Sequence, residues 1–430
     1  MTEFFIEPGV CIVPGRVEGQ LQAPASKSLT NRALLVAALA EGTSTLTSPL
    51  RSLDTEAMGR AVDTLGALVS GSSGDLVVEG TGGRVRRIHP EVDAGLSGTT
   101  MRFGLAAAAL CDEPITFVGE HALLRRPIGP LTAALRHLGA TAIDDGGHPP
   151  VTVRGPLAGG EVEVEVAGSS QYLSAILMAA PYAERDVWAT AVGDTAEAYV
   201  AMTADLMRRW GASVESPVRG VWHVGAGQGY TARHEAVEFD ASAAAHLYAL
   251  AAASGGSITV TNAAAGTLQP DARITDVLQQ MGCEVRTNGN AVTVDAPDQL
   301  VAVDVDLRDM PDQLPTIAVL ATLAQGTTSI TGAAVTRGHE TDRIAAVATE
   351  LAKLGVDVQE RPDGLLIRGG TASGPARLRT YEDHRLAMAF AALGLRIADV
   401  VIDDPGCVAK TYPEFWNDLT AVGGVFRSVV

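Results

Sequence analysis

The chain has 430 residues, which is too long for one hydrophobic core and predicts two domains. Its 32 basic and 50 acidic residues give a formal net charge of −18, which disfavours non-specific binding to nucleic acid or to an anionic membrane. The four cysteines have neither paired nor metal-ligand spacing, which favours a reducing compartment. With no signal-peptide pattern in MTEFFIEPG and no long apolar run, we expect a cytoplasmic protein.

Six polar turns recur at a pitch of about 70 residues, and each opens onto an alanine-rich apolar run. In chain order they are SKS before ALLVAALAEG, SGTT before FGLAAAAL, SSQ before LSAILMAA, ASA before LYALAAASGG, MPD before IAVLATLAQG and DHR before LAMAFAALGL. A second series has the same pitch and consists of Gly66, Gly139, Gly211, Gly282, Gly355 and Gly423. Two series with one period predict six copies of one supersecondary unit.

Each copy is predicted to be a strand, a helix, a strand, a second helix ended by glycine, and a hairpin. In the second copy, an apolar helix begins near Thr100, the strand ITFVG follows, and a second helix runs from Pro127 to Leu138. Gly139 then stands where a helix end favours a left-handed residue. The first helix of each copy is apolar nearly all round, which predicts burial on every side.

The six copies are expected to form two domains of three copies each. The polar stretch GYTARHEAVEFD predicts one boundary near residue 238, and the other is expected near residue 25. The first domain then comprises residues 1–25 and 238–430, and the second comprises residues 26–237.

Basic residues stand at the turn ends of the copies despite the acidic total. They include Lys27, Arg32, Arg102, Arg126, Arg343, Arg385 and Lys410. Cations are unfavourable at helix N-termini, so the set predicts an anion that compensates them. Guanidinium, ammonium and serine hydroxyl groups are suited to phosphate and carboxylate.

Eight strings carry a family resemblance, and in chain order they are PASKSLTNRALLVAALAEG, GLSGTTMRF, RRPIGPL, GSSQYLSA, MPDQLPT, HETDR, EDHRLAMA and AKTYPEF. Together they resemble the 5-enolpyruvylshikimate-3-phosphate synthase family of enolpyruvyl transferases. The resemblance implies an α/β fold, a two-domain inside-out α/β barrel of six repeated βαβαββ units, three per domain. It also implies an active site in the interdomain cleft.

The family's reaction transfers the enolpyruvyl (carboxyvinyl) group of phosphoenolpyruvate to the 5-hydroxyl of shikimate 3-phosphate and releases phosphate. The resemblance therefore implies addition and elimination through a tetrahedral intermediate, in the shikimate pathway to chorismate and the aromatic amino acids. It implies no metal or organic cofactor and small-molecule substrates as the only partners, and we expect a monomer.

The resemblance assigns a role to each site residue. Phosphoenolpyruvate is expected to contact Lys27, Gly98, Arg126, Gln171, Arg343, Arg385 and Lys410. Shikimate 3-phosphate is expected to contact Lys27, Ser28, Arg32, Ser169, Ser170, Gln171, Asp312 and His339. Asp312 is the candidate base for the hydroxyl and Glu340 the candidate for the C3 proton, with Lys27 competing for proton transfer. Arg102 is interpreted as supporting structure.

Structural roles stay open for the candidate acids and bases. Asp312 could cap a helix after Met310-Pro311, and Glu340 could serve only as an i,i+3 partner of Arg343. His384 could be a ligand or a hydrogen-bonded histidine at a helix start.

Four positions depart from the family pattern. His339 replaces a common lysine, Leu96-Ser97 replaces Asn-Ala, Ala25 replaces glycine, and Ala196 or Glu197 stands where a phosphate-binding serine is expected. The glycine at 98 predicts sensitivity to glyphosate, which occupies the phosphoenolpyruvate site in this family, because an alanine methyl would crowd it.

Three other functions are alternatives to this interpretation of the sequence. The sister enzyme that acts on a UDP-amino sugar uses a loop cysteine, and the corresponding stretch HALLRRPIG has none. A sixfold ring around DNA would need a basic lining, which the charge of −18 disfavours. A third alternative is a phosphate-binding module without turnover. In such a module, replacing Asp312 by alanine would leave binding intact and would change nothing in turnover.

Overall fold

The structure, a computed structural model, describes residues 9–71, 74–193 and 197–429, so Ala196 lies outside the described residues. The helices are α1 (Lys27–Leu39), α2 (Leu53–Thr64), α3 (Gly98–Ala108), α4 (His121–Leu124), α5 (Gly129–His137), α6 (Gln171–Ala179), α7 (Glu197–Arg209), α8 (Ala241–Ser254), α9 (Ile274–Gln280), α10 (Leu314–Leu323), α11 (Arg343–Ala352), α12 (His384–Gly394) and α13 (Phe415–Ala421). Within that part of the chain, no helix combines the length and apolar character that a membrane crossing requires.

The strands are β1 (Gly9–Val13), β2 (Glu18–Leu21), β3 (Thr43–Thr47), β4 (Leu68–Ser70), β5 (Leu76–Glu79), β6 (Glu91–Asp93), β7 (Ile115–Val118), β8 (Thr141–Asp145), β9 (His148–Arg154), β10 (Gly160–Glu165), β11 (Val187–Val192), β12 (Val214–Val218), β13 (Val221–Val224), β14 (His234–Ala236), β15 (Ser257–Val260), β16 (Glu284–Asn288), β17 (Ala291–Asp295), β18 (Asp304–Asp306), β19 (Thr327–Thr331), β20 (Asp357–Arg361), β21 (Gly364–Arg368), β22 (Ala376–Leu378), β23 (Val400–Asp403) and β24 (Val425–Val429).

These strands form six four-stranded sheets that share one order. In the sheet β6-β7-β9-β8, the parallel pair β6 and β7 is joined through α3, because parallel strands need a crossover. After α5, the strands β8 and β9 return as an antiparallel hairpin. The predicted α/β fold of repeated βαβαββ units is confirmed.

The chain divides into two compact units. The central unit is Ala25–Glu238, and the terminal unit runs up to Pro24 and resumes at Phe239. Strand β2 precedes α1 in sequence but pairs with β15 of the terminal unit, whereas β14 precedes α8 but pairs with β3 of the central unit. Strand β1 lies between β23 and β24. The first segment of the chain therefore completes two sheets of the terminal unit.

The alanine-rich helices are buried on every side, as predicted. Every residue of α3 and of α12 is buried, and α8 is buried over nearly its whole length. Among the helix starts that the structure describes, five have a side chain that accepts a backbone N–H, at Ser26, Ser97, Asp240, Asp342 and Asp383. Such a cap stabilises a helix by about 1 kcal/mol. Lys27, Gly98 and Arg343 each directly follow one of these caps.

The predicted glycine series is also confirmed. All six residues have a positive φ, from 76° at Gly355 to 98° at Gly139. Residues other than glycine rarely adopt this backbone conformation. One helix start differs from its prediction. Helix α5 begins at Gly129 and not at Pro127, because the N–H groups of Ile128 and Gly129 both donate to the carbonyl of Gly147.

Two glycines within helices allow the effect of helix propensity on stability to be distinguished from the effect of side-chain packing. A Cβ at Gly104 of α3 would lie 2.5 Å from the Phe117 ring, whereas a Cβ at Gly59 of α2 would meet nothing within 4 Å. We expect Gly104→Ala to lower the free energy of unfolding by about 1–3 kcal/mol through overpacking. Gly59→Ala should raise it by about 0.5–1 kcal/mol. Urea unfolding of both variants checks this, and a stabilised Gly104→Ala would contradict the close packing.

Candidate active site

The predicted residues of the terminal unit stand at the starts of its helices. Asp312 lies in a short 3₁₀ helix, Pro311–Gln313, before α10, and Arg343 opens α11. His339 and Glu340 follow the 3₁₀ helix Ala334–Gly338. Arg385 lies in the first turn of α12, and Lys410 ends the 3₁₀ helix Pro405–Lys410. The fold brings these residues into contact, and we call them, with Asp383, the Arg343 cluster.

Arg343 is the centre of this cluster and only 1% of its side chain is exposed. Its Nε donates to Asp383 Oδ2 at 2.7 Å, and its Nη2 donates to Asp383 Oδ1 at 3.1 Å and to Glu340 Oε2 at 3.0 Å. Its Nη1 donates to Asp312 Oδ1 at 2.7 Å and lies 3.2 Å from His339 Nδ1. A guanidinium has five N–H groups, and four of them donate to carboxylate oxygens here, while Nη1 also faces His339 Nδ1.

The other two cations of the cluster bind the same carboxylates. Arg385 Nη2 lies 2.8 Å from Asp312 Oδ2, and Lys410 Nζ lies 2.8 Å from Glu340 Oε1. Both basic side chains are nearly buried. Three cations therefore face three carboxylates, which is the pairing that buried charges require.

These contacts shift two ionisation equilibria. Burial opposes ionisation of Asp312, but Arg385, His339 and Arg343 outweigh it and hold the pKa of this carboxyl well below its usual range. Burial lowers the pKa of His339, and Arg343 lowers it further against the opposing effect of Asp312. Asp312 is therefore an anion and His339 a neutral ring at neutral pH.

In the central unit, Lys27 and Gln171 are each held by a partner from a neighbouring helix start. Lys27 Nζ lies 3.2 Å from Asp54 Oδ2 in the first turn of α2. Gln171 Oε1 accepts from Arg102 Nη1 at 2.7 Å, and its Nε2 donates to Thr99 Oγ1 at 3.3 Å. The amide of Gln171 is thus fixed in one orientation.

Gly98 is in close contact with two arginines. A Cβ placed at this residue would lie 2.9 Å from Arg126 Nη1 and 3.3 Å from Arg102 Nη1. Arg102 also lies over the Tyr172 ring at 5.3 Å, and the Tyr172 hydroxyl donates to the carbonyl of Pro127 at 2.7 Å. Arg102 thus supports the surroundings of Arg126, in agreement with its interpretation as supporting structure.

Arg32 is a buried cation in the central unit. Its Nε donates to Thr203 Oγ1 at 2.7 Å, its Nη1 donates to the carbonyl of Ser28 at 3.0 Å, and it lies over the Phe103 ring. Burial lowers the pKa of Arg32 to about 10. Within the described residues it makes no ion pair. Unlike Arg343, it keeps a charge that the described carboxylates do not balance.

Ser169 and Ser170 begin the turn that leads into α6. Ser169 is nearly buried, and its Oγ accepts from the N–H of Gln171 at 3.2 Å. Ser170 stands at the N-cap position without a side-chain cap bond.

The departures from the family pattern have identifiable local partners. Glu197 accepts from Arg219 Nε at 2.9 Å and from the N–H of Gly220 at 3.1 Å, so its carboxylate is bound to the β12–β13 turn. Ser97 caps α3 by accepting from the N–H of Thr100 at 3.2 Å. These two substitutions therefore have structural roles of their own.

Two carboxylates near the predicted residues were absent from the sequence predictions. Asp54 pairs with Lys27, and Asp383 binds Arg343 through both oxygens. Asp383 directly precedes α12, and a helix N-cap is the signal that could have identified it. Among the described residues, no group of three or more His, Cys, Asp or Glu side chains is arranged to hold a metal ion.

Comparison with known proteins gives one family. A sequence model described as EPSP synthase (3-phosphoshikimate 1-carboxyvinyltransferase) matches residues 13–419. A 3-phosphoshikimate 1-carboxyvinyltransferase of Methanoculleus marisnigri is 39% identical over 413 residues, which cover 95% of this chain and 98% of that protein. One from a Nostoc species is 40% identical over 407 residues, which cover 93% and 96%.

A solved structure also resembles this chain. The EPSP synthase of Acinetobacter baumannii superposes with a TM-score of 0.83 at 25% sequence identity. The superposition covers 98% of this chain and all of the other.

Arg32 and Arg343, whose side chains are both fully buried, should respond oppositely to replacement by methionine. Arg32→Met is expected to leave the free energy of unfolding unchanged or to raise it by up to about 4 kcal/mol, because it removes a desolvated charge without orphaning a described carboxylate. Arg343→Met should lower it by about 3–5 kcal/mol, since Asp383 loses its partner. Denaturant unfolding at neutral pH measures both, and equal losses would contradict the difference in charge balance.

Proposed function

The chain belongs to the EPSP synthase family, and we propose that it transfers the enolpyruvyl group of phosphoenolpyruvate to the 5-hydroxyl of shikimate 3-phosphate, releasing phosphate. The observation that carries the proposal is the Arg343 cluster. Two carboxylates suited to proton transfer, Asp312 and Glu340, lie there against three cations suited to phosphate and carboxylate.

Phosphoenolpyruvate brings a phosphate and a carboxylate, and its proposed ligands in the terminal unit are Arg343, Arg385 and Lys410. Since the N–H groups of Arg343 donate to carboxylates or face His339, an anion that binds it must displace Asp312, Glu340 or His339. The proposed ligands of phosphoenolpyruvate also include Lys27, Gly98, Arg126 and Gln171. We infer that phosphoenolpyruvate binding at the Arg343 cluster exchanges ion pairs and does not fill an excess of positive charge.

This exchange explains how Asp312 could act as a base. Paired with Arg385 and Arg343, its carboxylate has a depressed pKa and little affinity for a proton. When the substrate's anionic groups engage those arginines, their effect on Asp312 weakens and its pKa rises. Asp312 then takes the proton of the 5-hydroxyl as that oxygen attacks C2 of phosphoenolpyruvate.

The second proton belongs to C3 of phosphoenolpyruvate. In the addition step C3 gains a proton, and in the elimination step it loses one as phosphate leaves. Glu340, which bridges Arg343 and Lys410, is the proposed group, and Lys27 is its competitor. The basic side chains offset the charge that develops on phosphate and carboxylate.

Shikimate 3-phosphate is proposed to bind Lys27, Ser28, Arg32, Ser169, Ser170, Gln171, Asp312 and His339. Arg32 supports this most directly, because its charge is desolvated and a ligand anion would balance it. His339 is neutral, so it would contribute a hydrogen bond and not an ion pair.

The remaining parts of the proposal concern the cellular setting. We propose a monomer that acts in the cytoplasm on small molecules, with neither nucleic acid nor membrane as a partner and without a metal or organic cofactor. The acidic net charge of −18 supports the absence of nucleic-acid and membrane partners, and the unpaired cysteines support a reducing compartment.

Phosphate release tests the function directly. With purified protein, inorganic phosphate should appear only when phosphoenolpyruvate and shikimate 3-phosphate are both present. Asp312→Asn should slow turnover by about 10²–10⁴-fold, the usual contribution of a general base. Asp304→Asn, which changes an exposed carboxylate on β18, is the matched control and should retain full activity.

Other outcomes of this assay separate the alternatives. Release with UDP-N-acetylglucosamine in place of shikimate 3-phosphate would identify the sister activity. Substrate binding without any release, equally in the unaltered protein and in Asp312→Asn, would identify a binding module and contradict the proposal.

Gly98 generates a prediction about inhibition. Glyphosate should inhibit the unaltered protein in competition with phosphoenolpyruvate. Gly98→Ala should raise the inhibition constant and the KM for phosphoenolpyruvate, because the added Cβ would displace Arg126 from its position 2.9 Å away. Gly59→Ala, which meets open space, is the control. An inhibition curve that stays flat up to millimolar glyphosate would contradict the prediction.

A further inference from the structure

Glu350 is a buried carboxylate outside the Arg343 cluster. It lies on α11, seven residues after Arg343, and 1% of its side chain is exposed. Its Oε2 accepts from Lys353 Nζ at 2.5 Å and from the N–H of Arg379 at 2.7 Å, and its Oε1 accepts from the Tyr381 hydroxyl at 2.9 Å. Two of these three donors belong to the segment that leads into α12.

That segment has an unfavourable backbone conformation. Tyr381 and Glu382 have φ values of 55° and 60°, and a left-handed conformation costs roughly 1–2 kcal/mol for each such residue. It persists only where the surroundings hold it. Glu350 accepts hydrogen bonds from the segment at Arg379 and Tyr381, and Asp403 Oδ1 accepts from the N–H of Thr380 at 2.6 Å.

The next residue, Asp383, connects the segment to the cluster. Its Oδ1 accepts from the N–H of Arg385 at 3.0 Å, and both of its oxygens accept from Arg343. Helix α11 therefore holds the segment 379–385 at two points, through Arg343 and through Glu350. Seven helical residues span about 10 Å, so the two attachments together set the register between α11 and the start of α12.

Burial and then Glu350 raise the pKa of Tyr381 to about 12, so its hydroxyl remains a donor to Glu350 at neutral pH. The Glu350 carboxylate is buried, and each of its oxygens accepts a hydrogen bond from the surrounding residues. Such a fully satisfied buried acceptor can hold its donors in one arrangement.

We propose that Glu350 is a positioning residue that, through the turn at 379–382 and Asp383, sets Arg343 and Arg385 in the geometry needed to bind phosphoenolpyruvate. The inference rests on the proposed function for the identity of the ligand, and on the contacts of Glu350 alone for the positioning.

Two variants test it, Glu350→Gln and Tyr381→Phe. In Glu350→Gln we expect the KM for phosphoenolpyruvate to rise by roughly ten- to a hundredfold, as a small misplacement of binding groups can produce. The KM for shikimate 3-phosphate should change much less, and Tyr381→Phe should shift both in the same direction by a smaller factor. Glu284→Gln, an exposed carboxylate on β16, is the control.

A measurement that does not depend on activity accompanies the kinetics. Hydrogen exchange of the peptide spanning residues 376–388 should become faster in Glu350→Gln and stay unchanged in Glu284→Gln. If hydrogen exchange and the KM for phosphoenolpyruvate are both unchanged in Glu350→Gln, the positioning role is overturned. The same holds if this variant is less stable but its exchange in the segment and its KM are unaltered. Absence of phosphate release by the unaltered protein would contradict the proposed function, while exchange would still decide the role of Glu350.

Discussion

The contact between Arg343 and its three carboxylates is the interaction on which the candidate site of the terminal unit depends. One guanidinium joins residues from three separate stretches of chain, at Asp312, Glu340 and Asp383. Because one planar guanidinium donates to all three carboxylates, it sets the geometry of each of them. The cost of desolvating these charges is repaid only while the whole set is present, so the cluster behaves as a single unit.

Arg32 differs from the cations of the Arg343 cluster in how its charge is balanced. In the terminal unit the cations are matched by carboxylates, whereas Arg32 of the central unit makes no ion pair among the described residues. A matched cluster has to exchange partners when an anion binds, and this can alter the protonation of Asp312. A buried cation without a matching charge gains directly from a bound anion. Under the proposed function, the same type of side chain would bind anions in two different ways in one chain.

Much of the fold could be predicted because its signals are local. A glycine such as Gly139 marks a left-handed helix end whatever surrounds it, and an all-apolar helix such as α3 must be buried. The sequence has no local signal for the pairing of β2 and β14. Each strand directly precedes the first helix of one unit but pairs in a sheet of the other unit. For the site, the motifs identified Arg343 and Asp312. They could not show which acceptors surround the Arg343 guanidinium. Asp383 and Asp54 escaped prediction because a helix cap and a first-turn carboxylate are common features whose partners depend on tertiary packing.

The position of β1 has a consequence for protein synthesis. Strand β1 is apolar, and in the chain it precedes the whole central unit, whereas its neighbours β23 and β24 follow that unit. On the ribosome, GVCIV therefore emerges before the strands with which it pairs. An unpaired apolar strand is prone to association with other chains, so this segment is exposed to that hazard until β23 and β24 have been synthesised.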